Sequence, residues 1–326
     1  MTLPAPGNSI SANQINVEAT RSGTANAPLS GTSATPQAGS LVKIYENSGV
    51  NQVAPHKYSE FYSKSYEGDN IDCGGNIDAD GDDGYYTANI NLSSSTGAVV
   101  IYFTPKSLPD GIGFLYNSTL YNTLTFDGTP GALLAATNTL NFVGINDTSG
   151  CENSDLQSGS PFTLDNYVWN GSDFAQSSGT TSVVTTSTNL QGSGNFVFTL
   201  VVPKTSTSIN TGQLQIAGPC TSTQWIVKLL CPTSLPSFTS STVQTNEFRA
   251  CQQSLNQTYY FARNASLNAP STIVVDTNSE PEEDNFVFSD STGLTPLANG
   301  FYKLGSNDVI KVQYGVIIIF YEDVCF

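Results

Sequence analysis

Positive charge is scarce in this sequence: 11 Lys and Arg stand against 27 Asp and Glu, for a formal charge of −16. An acidic surface repels phosphate backbones and anionic lipid, so nucleic-acid binding is disfavoured. No apolar run approaches the ~18–20 residues that span a bilayer. The longest, Tyr314 to Tyr321, is strand-sized, and no membrane insertion is expected. Histidine occurs once, as His56 between Pro55 and Lys57. A Ser-His-Asp or Cys-His site would have to use it, and no G-x-S-x-G elbow accompanies it; it reads as an exposed or contact-forming side chain. Nothing marks a pair of carboxylates for glycoside hydrolysis, so no catalytic activity is expected. No cysteine has the C-x-x-C or Cys/His spacing of a zinc site. Amphipathic helical periodicity is missing throughout. The opening Met1-Thr2-Leu3-Pro4-Ala5-Pro6-Gly7 lacks the basic n-region and apolar h-region of a signal peptide.

What remains is strand-forming. Aromatics are 10% of the chain, including 15 Tyr and 17 Phe, which supplies apolar surface for real cores despite the Ser, Thr, Asn and Gly content. Tyr, Phe, Thr and Val favour strands, and the intervening Gly, Asn, Asp and Pro favour turns. The expectation is an all-β protein of two or three domains. Residues 1–66 lack Cys and Trp and include the Ser/Thr/Ala/Pro-rich stretch Ser22 to Ser40. They cannot bury a core of their own and should be extended, ordered by docking on a neighbouring subunit. Residues 67–232 are dense in strand patterns. Tyr85 to Leu92, Ala98 to Thr104, Gly113 to Tyr116, Thr119 to Phe126, Leu140 to Ile145, Asn195 to Val202 and Gln224 to Cys231 follow one another, as in a jelly-roll-like β-sandwich. Residues 233–250, rich in Ser, Thr and Pro, read as a linker. Residues 251–326 read as a small β-meander, with strands at Thr258 to Ala262, Thr272 to Asp276, Asn285 to Ser289, Gly300 to Leu304, Val309 to Tyr314 and Val316 to Tyr321.

Six cysteines allow 15 connectivities. Cys73 and Cys231 bracket the body, and Cys251 and Cys325 bracket the terminal module. Cys251–Cys325 is therefore expected first, on strands that meet when a small sheet curls, with Cys73–Cys231 second for the body and Cys151–Cys220 left over. Reduced buried thiols are the alternative. The stretch Asn76-Ile77-Asp78-Ala79-Asp80-Gly81-Asp82 places oxygen ligands at alternate positions with a Gly for the bend. Asn76, Asp78, Asp80 and Asp82 are candidate ligands for Ca²⁺, but Thr87 stands at the twelfth position, where an EF-hand needs Glu. The alternative is a solvated Asp/Gly turn. Two aromatic runs, Gln257-Thr258-Tyr259-Tyr260-Phe261 and Tyr167-Val168-Trp169-Asn170-Gly171, could stack on sugars or pack in cores.

Three stretches carry a resemblance. Ile10-Ser11-Ala12-Asn13-Gln14-Ile15-Asn16-Val17-Glu18 with His56 to Ser65 resembles the N-terminal pattern of tailed-phage virion proteins. Ser95 to Phe103 with Leu108-Pro109-Asp110-Gly111-Ile112 is similar to a β domain of appendage proteins in phages of marine and Bacteroidota-type hosts. Val287 to Lys303 looks like a short Cys-bounded β module of that lineage. The resemblance implies a fibre, collar or tail-tip component, with residues 1–66 attaching it to other virion proteins. It also implies a homo-oligomer, most simply a trimer, and contact with a host-surface glycan. The protein would be assembled in the host cytoplasm and exposed on particles released by lysis. A capsid decoration protein and a polysaccharide depolymerase are the rival readings; the lack of a long β-helical repeat speaks against the second.

Overall fold

The run Ala98-Val99-Val100-Ile101-Tyr102-Phe103 shows no polar alternation, and a strand apolar on both faces must be covered on both. The computed structural model describes residues 70–80, 83–106, 108–122, 124–125, 139–145, 161–171, 173–185, 189–191, 197–268 and 272–325. In it, strand Gly97–Thr104 is buried at every position. It is the central strand of an antiparallel sheet ordered Asn76–Asp80, Gln224–Leu229, Gly97–Thr104, Phe198–Lys204, Leu124–Thr125. Successive side chains divide between the two faces. Val100, Tyr102 and Ile226 join a cluster with Phe286, Phe288 and Val316 of the C-terminal region. On the other face Trp225 meets Tyr86 edge-on, ring centroids 5.9 Å apart. This sheet is the middle of three layers. Among the described residues strands make up 58% and helix 3%, so the fold is nearly all β.

The layer carrying Tyr86 is a sheet that closes on itself. Gly84–Asn91 pairs antiparallel with Thr211–Gly218 along eight residues. That strand pairs with Asp110–Tyr116, which pairs with Thr139–Ile145. Thr139–Ile145 runs parallel to Phe174–Thr185, which neighbours Pro161–Trp169, and Pro161–Trp169 returns parallel to Gly84–Asn91. Closure removes the open edges that a large sheet would otherwise present. One face of the ring is filled by Tyr85, Leu140, Phe142, Leu164, Val183 and Ala217.

The C-terminal sheet closes as well. Its order is Val287–Phe288, Gln257–Phe261, Ser237–Ser240, Gly300–Leu304, Asp308–Gln313, Val316–Tyr321. The first and last strands meet through the Phe286–Val316 bridge, with Val287 N donating to Gly315 O at 2.8 Å. Phe238, Phe261, Tyr302, Ile310 and Ile317 form its core. The expected division into a body, a linker and a separate module is corrected here. Ser237–Ser240, inside the expected linker, is an inner strand of this sheet, and Glu247–Cys251 is a short helix capped by Asn246. Ile71–Val168 and Gln176–Phe326 form one compact unit, outside which falls the hairpin tip Trp169–Ala175. The module is tied to the middle sheet by the shared hydrophobic cluster and by Tyr102 Oη donating to Arg263 O at 3.0 Å. Thr272–Val275, expected in the meander, instead pairs with Ala265–Asn268 as a separate ribbon that helps cover this cluster. Residues 1–66, with His56, lie outside the described residues.

Disulfides join Cys73 to Cys231, Cα atoms 4.9 Å apart, and Cys251 to Cys325, 5.1 Å apart. Cys251 ends the short helix rather than standing on a strand. The helix reaches Cys325 because Ala250 and Val309 pack beside it and Cys325 N donates to Asn307 O. Cys220 is disulfide-bonded too, while Cys151 lies outside the described residues.

Candidate recognition surface

The stretch proposed to bind calcium is not a loop up to Asp80. Asn76–Asp80 is an edge strand, with Asn76 opposite Lys228, Asp78 opposite Ile226 and Asp80 opposite Gln224. Asp78 is ion-paired with Lys106, Nζ to Oδ1 3.0 Å. Asp82 lies outside the described residues. Among the described residues no group of three His, Cys, Asp or Glu is arranged to hold a metal ion. The backbone reads Asn-Ile-Asp-Ala-Asp by its alternation, not by its oxygen atoms.

The two aromatic runs are also placed. Within Gln257–Phe261, Phe261 is buried and Tyr259 meets Tyr302 edge-on at 5.7 Å, both in the core of the C-terminal ring. Tyr260 packs on the cluster shared with the middle sheet. This strand therefore turns its rings to packing on both faces, with Tyr259 and Tyr260 half-buried. Tyr167 stacks on Tyr86 at 4.9 Å. Trp169 and Phe174 pack against each other edge-on at the base of the Asn170–Asp173 turn.

The surface that stands out was not marked in advance. Strands Asp308–Gln313 and Val316–Tyr321 are joined by two residues, Tyr314 and Gly315, since Gln313 pairs with Val316. Both have positive φ, 52° and 77°, as two-residue hairpin turns of the primed types require. Asn, Asp and Gly take such angles readily, whereas a bulky residue pays about 1–2 kcal/mol. The Asn117-Ser118 turn of the body uses an Asn at the matching position, φ 48°. Here the position holds a tyrosine that is 65% exposed. The fold gains little from that ring.

Around Tyr314 the loop 290–299 is held rigidly by one carboxylate. Asp290 Oδ1 accepts the amides of Thr292 at 3.0 Å and Leu294 at 3.1 Å and the Thr292 hydroxyl; Oδ2 accepts the Thr295 amide at 2.7 Å. Burial works to raise this carboxyl, but the donors from Thr292, Leu294 and Thr295 outweigh it and hold it below the usual Asp value. Asn299 Oδ1 accepts the Tyr314 amide at 2.6 Å. Tyr302 Oη donates to Ala298 O at 2.8 Å, and Pro296 bridges to Phe288. Gly315 lets the turn lie on the Pro296 ring, where an added Cβ would come within 2.5 Å. At Gly300 the neighbour is Val243, which a Cβ would meet at 2.4 Å. The result is a rim whose exposed apolar groups are Tyr314 and the adjacent Pro296, with Val243 (43% exposed) beside Gly300 and Leu294 (57%) farther along the loop.

The rim segments themselves are uncharged, and the lysines that flank them are engaged, Lys303 Nζ donating to Cys251 O at 3.1 Å and Lys311 Nζ lying 5.9 Å from the centroid of the Phe301 ring. The segments that build it, 240–246, 291–302 and 312–321, contain no Asp, Glu, Lys, Arg or His, and the adjoining Asp290 is saturated by its own loop. At the far end of Val316–Tyr321 the character reverses. Glu280, Glu282, Glu283 and Glu322 line an open cleft beside Phe320. A rigid, neutral rim with one projecting ring is suited to non-covalent recognition, since the ordering cost has been met in advance. The sequence signal that could have found it is Gln313-Tyr314-Gly315-Val316 between two strand runs, a hairpin turn with Tyr where Asn is usual. Comparison with protein-family models, with curated proteins and with solved structures finds no match for this chain.

Proposed function

We propose that this chain is a virion structural protein of a tailed phage, a fibre, tail-tip or collar component whose C-terminal ring makes contact with the host surface. The observation that carries this reading is the rim: an exposed, strained tyrosine in a hairpin turn beside a loop fixed by Asp290, in a nearly all-β chain with covalent ties. Loops that bind are usually displayed on rigid scaffolds. In this reading residues 1–66 attach the protein to other virion components, self-association into a trimer supplies the partner surface they need, and the chain performs no catalysis.

The test is location. Antibody fragments raised against residues 233–326 and imaged on intact particles should decorate the tail end or the collar. Label spread over the capsid shell would replace this reading with that of a decoration protein, and particles without label would reject both.

A further inference from the structure

Building on the recognition reading above, we propose that the rim around Tyr314 binds an electrically neutral saccharide, with the Tyr314 ring stacked on a sugar face. The charge pattern argues for the class of ligand. In a chain of net charge −16, an anionic polymer would be repelled at long range and would meet only the flanking Lys303 and Lys311, which are engaged with Cys251 O and the Phe301 ring. A cationic ligand would be drawn to the acidic cleft lined by Glu280, Glu282, Glu283 and Glu322 instead. A neutral ligand meets no such penalty. The groups present suit one that has both apolar and hydroxyl faces. Tyr314 supplies an amphipathic ring, Pro296 lies beside its turn, and the exposed Thr295 and Asn299, with Gln313, add amide and hydroxyl groups. Periodate oxidation separates this ligand from a protein partner, whose binding it would leave in place.

Tyr314 is the residue on which the proposal turns, because its identity is unfavourable to the turn it occupies. Asparagine fits the left-handed angle better, so Tyr314→Asn removes the ring without harming the fold, and Tyr314→Phe keeps the ring while removing only the hydroxyl. The full chain is applied to an immobilised panel of neutral gluco-, manno- and galacto-configured hexasaccharides, with hyaluronan and oligogalacturonate as anionic counterparts. Retention on host-cell envelopes is measured in parallel, before and after periodate oxidation of sugars. Expected are binding to at least one neutral hexasaccharide, a loss of about tenfold or more in Tyr314→Asn at unchanged or higher melting temperature, and near-full retention in Tyr314→Phe. Envelope binding should fall after periodate. Binding confined to the anionic polymers, or insensitive to Tyr314→Asn, overturns the proposal. Envelope binding that survives periodate ends the saccharide inference but leaves host recognition standing. Envelopes that never retain the chain end the recognition reading itself.

Discussion

The two closed sheets each contain an aspartate whose proton affinity is displaced, and in opposite directions. In the large ring Asp110 is fully buried, and its carboxyl is pushed well above the ordinary value by that burial, against which a single hydrogen bond from the Thr223 hydroxyl works only in part. Its Oδ2 has no partner. In the small ring Asp290 is half-buried and surrounded by donors, and it is held below the ordinary value. The charged form of the same side chain is thus disfavoured inside one sheet and favoured at the root of a loop in the other. What separates them is the number of N–H and O–H groups aimed at the oxygens, since desolvation opposes the charge in both.

The harshest way to disturb this contrast is to loosen the frame around Asp290. Replacing Cys251 and Cys325 together by Ser should cost about 2–4 kcal/mol of unfolding free energy, read as a lower urea midpoint; an unchanged midpoint would show that the tie is redundant with packing. Next in size is the carboxylate itself. Asp290→Ala strips the acceptor from three amides and a hydroxyl and should cost about 2 kcal/mol at neutral pH, with amide exchange in residues 290–299 accelerated more than in the body. Protection that stayed uniform would mean that the loop is held by Pro296 and Asn299 alone.

Asp110→Asn should act with the reverse sign, raising stability by about 1 kcal/mol at neutral pH while leaving the Thr223 contact an oxygen to meet. The pH dependence makes the contrast explicit. Because the folded pKa of Asp110 is raised, its contribution is most favourable below the unfolded Asp value of ~3.9 and declines as pH rises above it. For Asp290 the folded pKa is lowered, so its contribution is present above ~3.9 and is lost as pH falls toward the folded value. Urea titrations from about pH 3 to about pH 8 should therefore show that Asp110→Asn flattens the loss on the alkaline side, and Asp290→Asn the loss on the acid side. Identical slopes in the two variants would collapse the distinction. The smallest effect belongs to Tyr314→Asn, a gain of a few tenths to about 1 kcal/mol from relief of the left-handed tyrosine; a lower melting temperature would mean that the ring serves the fold after all.

The apolar framework was legible from the sequence. Gly300–Leu304 and Val316–Tyr321 fall at the limits their residues suggest, and the continuous run before Pro105 announced a strand covered on both sides. Strands whose partners do the burying were not legible. Ser237–Ser240 carries one apolar side chain, Phe238, and Phe174–Thr185 is mostly Ser, Thr and Gly; each takes its place from neighbours in a sheet. Asn76–Asp80 reads two ways, because oxygen atoms at every second position suit a metal loop and an edge strand equally well, and its backbone is that of an edge strand. The rim was missed for a related reason. Its stacking candidates were sought in aromatic clusters, which are what cores consume, while the exposed ring is an isolated residue in a turn.

The disulfides have a mechanical meaning. Cys73 and Cys231 are 158 positions apart along the chain, and Cys251 and Cys325 are 74 apart. Tension pulling on the backbone from before Cys73 and from beyond Cys325 passes through the sulfur bridges and skips everything looped between them. Only the stretch 232–250 remains in the load path. Drawn straight, it spans at most roughly 60–70 Å, and the gain is smaller by the distance its ends already cover, so a protein of three β layers would behave under traction as a short tether.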